Sequence, residues 1–99
     1  MILKGSEEEK LLEAIRYENI EKVKSILNNS TKNKKILKLN EKDKDGDYPL
    51  LMTIFKNNIK ILQLLIEYAN QHQIILELNE KNRIGGDPLF KLLNIIILK

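Results

Sequence analysis

The sequence predicts an all-α fold, a solenoid of stacked helix–turn–helix units within one domain covering all 99 residues. Two observations lead there. The first is an internal repeat: the twelve-residue stretches Leu39–Leu50 and Leu78–Leu89 are identical at seven positions, Leu-Asn-Glu-Lys at the start and Gly, Pro and Leu further on. Their separation is 39 residues, and one more step back sets Leu11, Leu12, Ile15, Asn19 and Ile20 under Leu50, Leu51, Ile54, Asn58 and Ile59. The second is helical spacing of the apolar residues, which are almost entirely the 15 Ile and 17 Leu, with a single Val. The chain divides into repeat 1 at about 6–38, repeat 2 at about 39–77 and a partial repeat 3 at about 78–99.

The first helix begins near Glu7, because Ser6-Glu7-Glu8-Glu9 is a capping-box pattern and acidic residues favour the positive end of a helix. In the second unit Asp45-Gly46 supplies a turn with a residue free to take positive φ. Pro49 follows at a first helical position, where no N–H is needed. Leu50, Leu51 and Ile54 share one helix face. Asn57-Asn58 then breaks the run, and Ile59, Leu62, Leu65 and Ile66 form the stripe of a second helix. Leu50, Leu51, Ile54, Ile59, Leu62 and Leu65 are the expected core. The first unit has no turn of its own and serves as an N-terminal cap with a polar outer face of Glu8, Lys10 and Glu13.

The stretch Asp43-Lys44-Asp45-Gly46-Asp47-Tyr48-Pro49-Leu50-Leu51 resembles the ankyrin repeat family, in which an Asp-x-x-Gly-x-Thr-Pro-Leu-His turn precedes two helices. Asn58 to Ile66 resembles that family's second helix, and Leu39-Asn40 and Leu78-Asn79 its apolar-Asn pair before each turn. The resemblance implies an ankyrin-like solenoid with projecting β-turns or hairpin loops. The family's Thr and His, which brace the turn, are here Tyr48 and Leu51, then Asp87 and Phe90, so that brace is missing. The unit of 39 residues exceeds the family's ~33, and the extra residues fall in 28–38 and 67–77, as an added helical turn or as a tucked loop.

Composition excludes several chemistries. With no Cys there is no disulfide, thiolate nucleophile or Cys-ligated metal, and the single His72, in a polar stretch past a helix, reads as a solvated loop residue. Asp43, Asp45 and Asp47 alternate around Gly46, but a calcium loop starting at Asp43 would close on Ile54 instead of Glu. Gly85-Gly86-Asp87 matches no phosphate-loop spacing. Neither catalytic residues, cofactor nor metal is expected. No secretory signal is visible, since Met1–Ser6 holds only three apolar residues, far short of an export signal's apolar run. The longest apolar run, Ile95–Leu98, is far below the ~20 residues of a membrane span. An intracellular, cytoplasmic location is expected.

The function implied by the resemblance is a scaffold or adaptor that binds another protein through turn tips and inner helices. Carried over position by position, its contact residues are Lys44, Asp45, Asp47, Phe55 and Lys56 in the second unit, Arg16 and Tyr17 in the first, and Arg83 and Ile84 in the third. The alternative is an anion- or nucleic-acid-binding module acting through 32–44, where six Lys stand against Glu41 and Asp43. That segment lacks aromatic stacking groups, which disfavours nucleic acid. The apolar stretch Leu89 to Leu98 is expected to pair with further repeats or with a second copy.

Overall fold

The computed structural model describes residues 5–77, and these form four helices: α1 (Glu7–Arg16), α2 (Ile20–Lys32), α3 (Pro49–Lys56) and α4 (Ile59–Gln71). The described residues contain no strand. The partial third repeat, with Arg83, Ile84 and the apolar stretch Leu89 to Leu98, lies outside them. No helix among the described residues is long and apolar enough to cross a membrane.

Each helix starts where local chemistry provides an acceptor or dispenses with a donor. The Ser6 hydroxyl accepts from the Glu9 N–H at 3.1 Å, while the Glu9 carboxylate reaches back to the Gly5 N–H at 2.6 Å. Asn19 caps α2 through the Lys22 N–H (3.1 Å) and Asn58 caps α4 through the Ile61 N–H (3.0 Å). For α3 the Tyr48 side chain makes no cap bond, and Pro49 opens the helix instead. Between α3 and α4, Asn57 takes the left-handed conformation at φ 60°.

The repeat seen in sequence extends to the backbone. α2 and α4 both hold 13 residues and begin 39 positions apart. The positive-φ residues follow the same step, Glu18 with Asn57 and Lys34 with Gln73. The bonds Lys35 N–H to Ser30 C=O and Ile74 N–H to Ala69 C=O also correspond. Within each unit the helices pair, α1 on α2 and α3 on α4. Between units α1 packs on α3 and α2 on α4, giving two layers.

The longer unit contains both an added helical stretch and a tucked loop. α2 continues to Lys32, Lys34 turns the chain at φ 57°, and the return segment drives Leu37 and Leu39 into the core, 3% and 1% exposed. A polar chain seals this return. The Leu37 N–H donates to the Tyr68 hydroxyl at 2.9 Å, Tyr68 lies in hydrogen-bond contact with Ser30, and the Ser30 hydroxyl donates to the Lys35 carbonyl at 2.6 Å. Because the first group can only donate and the last can only accept, the Tyr68 proton points at Ser30.

One core cluster runs across the units, joining Leu11, Ile15, Val23 and Ile26 of the first to Ile61 and Leu65 of the second. A second gathers Tyr48, Leu50, Leu51, Ile54 and Leu62. Five of the six expected core residues are nearly fully buried, and Ile59 is half-buried. The α4 stripe differs from expectation at one place. Ile66 is 39% exposed and Ile61 is fully buried, because α4 packs against both α2 and α3 and its covered arc centres on Ile61, Leu62, Leu65 and Tyr68. His72 is likewise no solvated loop residue. It closes α4, sets its ring 4.4 Å from that of Tyr68 at a tilt of 52°, and bonds through Nε2 to Thr31 Oγ1 at 2.9 Å, linking α4 to α2.

Candidate protein interface

Asp43 organises the turn of the second unit. Its N–H donates to the Asp47 carbonyl (2.8 Å), its carbonyl accepts from the Gly46 N–H (3.0 Å), and Gly46 takes φ +83°. That is the pattern of a three-residue hairpin whose last loop residue must be left-handed, which is why glycine stands there. The Asp43 carboxylate then accepts from the N–H groups of Asp45 and Asp47, both at 2.9 Å. The turn thus has a brace of its own, supplied by Asp43.

This turn is anchored to the first unit. The Arg16 guanidinium lies 3.9 Å from Asp43 Oδ2, and the Lys38 N–H donates to Glu8 at 3.0 Å. The segment leading into the turn is therefore tied to both ends of α1. The base of this turn is held to α1, where Glu8 and Arg16 offer it an acceptor and a cation. The Arg16–Asp43 pair is partly exposed, with side chains 43% and 21% accessible, so it positions more than it stabilises, contributing ~0.5 kcal/mol or less.

Arg16 is thereby brought to the turn. Tyr17, at the C-terminal end of α1, is 76% exposed. Lys44 at the tip is exposed, whereas Asp45 and Asp47 are half-buried. Phe55 is half-buried against the second core cluster, and Lys56 ends α3. Arg16 and Phe55 hold equivalent positions 39 residues apart, as do Tyr17 and Lys56, at the ends of two helices packed on one another. The structure adds Asp43, Glu18 and Asn58 to this neighbourhood. The Asn58 amide donates to Glu18 at 3.1 Å and joins the two helix–helix loops.

Carboxylate oxygens of Asp43, Asp45 and Asp47 lie within 4.8 Å of one another. Asp43 spends its oxygens on the two backbone N–H groups and on Arg16, which accounts for its place in the cluster without a metal ion. No protein-family model matches the sequence, and a search of the curated proteins finds no relative.

Proposed function

We propose that this protein is an ankyrin-type interaction module, a scaffold or adaptor that binds another protein through its turn and inner helices. One observation carries the reading: Arg16, Tyr17, Lys44 and Lys56 stand on a braced turn and on the ends of two equivalent helices, α1 and α3, whose opposite faces are fixed in the core. Rigid elements displaying variable side chains keep the entropic cost of association low. Asp45, Asp47 and Phe55 are included as half-buried neighbours; Arg83 and Ile84, outside the described residues, are part of the proposal by their repeat positions alone. Tyr17 is the natural anchor, since exposed tyrosine is a frequent source of binding energy at interfaces. The role is binding, without catalysis, and a cytoplasmic location is part of the proposal.

Site-specific photocrosslinking in cells tests it. A crosslinker placed at Tyr17 or Lys44 should capture a discrete protein partner, while one placed at Lys22 or Lys60 on the outer layer should not. Capture from the outer positions alone would overturn the assignment of the face.

A further inference from the structure

The end of α2 and the return segment after it carry a feature that neither the fold nor the turn–helix surface uses. Lys32, Lys34, Lys35 and Lys38 are all exposed, and no carboxylate among the described residues forms an ion pair with any of them. Their backbone is fixed. Lys35 is held at both its N–H and its carbonyl by Ser30, Leu37 is buried and bonded to Tyr68, and the Lys38 N–H is held by Glu8. The cations therefore stand on a preorganised loop.

The repeat supplies an internal control. The second unit builds the corresponding segment with the same left-handed residue and the same closing bond, yet has Gln71, Gln73, Ile74 and Glu77 where the first has the four lysines. The backbone thus does not require the positive charge. Two isoleucines accompany it: Ile36 is 46% exposed, and Ile75, its counterpart, is 84% exposed. The Asn40 side chain clamps the second of these segments to the first, accepting from the Glu77 N–H at 3.0 Å and donating to the Ile75 carbonyl at 2.7 Å. The two isoleucines thus stand at equivalent positions of two adjacent return segments.

We infer that this edge is a second docking surface, one that receives an acidic protein segment carrying spaced apolar side chains. The four cations set the sign of the partner, and the two exposed isoleucines at equivalent positions set its apolar component. Phosphate backbones would use the lysines but leave the isoleucines in water, and the segment contains no aromatic platform on which bases could stack.

The test uses the full chain and fluorescence anisotropy with three labelled probes: a glutamate-rich peptide with spaced leucines, the same peptide with serine for leucine, and a single-stranded RNA. Two variants accompany the wild type. One is K32Q/K34Q/K35Q/K38Q, the other I36S/I75S, each checked by thermal melt. The leucine-containing peptide should bind best, and each variant should weaken it about tenfold or more while melting like the wild type. A K44A/D47A variant should bind it unchanged. Failure of that peptide to bind, undiminished binding by I36S/I75S, or tighter binding of RNA would each overturn the inference, the last by making the edge a nucleic-acid site.

Discussion

Tyr68 shows how a single buried hydroxyl fixes a loop. Replacing it with Phe removes the acceptor of the Leu37 N–H and the donor to Ser30 at a buried site. A loss of ~1–3 kcal/mol is expected, since an orphaned buried donor costs its desolvation. Chemical denaturation of Tyr68→Phe checks this, and a change under ~0.5 kcal/mol would mean that water replaces the hydroxyl. At Asp43 the two possible replacements separate geometry from charge. Asp43→Asn keeps an acceptor for the N–H groups of Asp45 and Asp47, whereas Asp43→Ala keeps none, so the alanine variant should be the less stable by ~1 kcal/mol. Equal melts would show that the backbone hydrogen bonds alone hold the turn. None of the Tyr68 chemistry is legible in the sequence, because its partners Ser30 and Leu37 are 38 and 31 residues away.

The helices were the most readable level, for the reason that their signals are local. Ser6 with Glu9, Pro49 and Asn57-Asn58 each act within one turn of the chain, and each does in the structure what its spacing predicts. The phase of α4 was less readable. Which of Ile59, Ile61 and Ile66 is covered depends on two neighbouring helices, and no local rule weighs them. The repeat turns the caps into a matched pair. Asn19→Ala and Asn58→Ala remove the same bond from the same helix start, so each should cost ~1 kcal/mol in denaturant titrations, and the two should agree. A large excess for Asn58 would point to its additional bond with Glu18 as the greater contribution.

At the scale of the molecule, the cluster joining Leu11, Ile15 and Val23 to Ile61 and Leu65 makes the two units one cooperative body. Repeat arrays gain stability from such nearest-neighbour interfaces. The sequence displays this architecture through its 39-residue step, yet says nothing of how the turn lies, since the contacts Arg16–Asp43 and Glu8–Lys38 join residues far apart in the chain. The proposed function implies a division of labour, in which core residues carry stability and the turn and helix ends carry recognition. The measurement that tests it most directly is a paired one, thermal melts beside crosslinking from Tyr17, for Leu62→Ala and for K44A/D47A. The truncation of Leu62, 1% exposed, should cost ~2–5 kcal/mol. The double variant should stay within ~0.5 kcal/mol of wild type and lose its partner. A double variant that melts like wild type and still captures the same partner with the same yield would contradict the account.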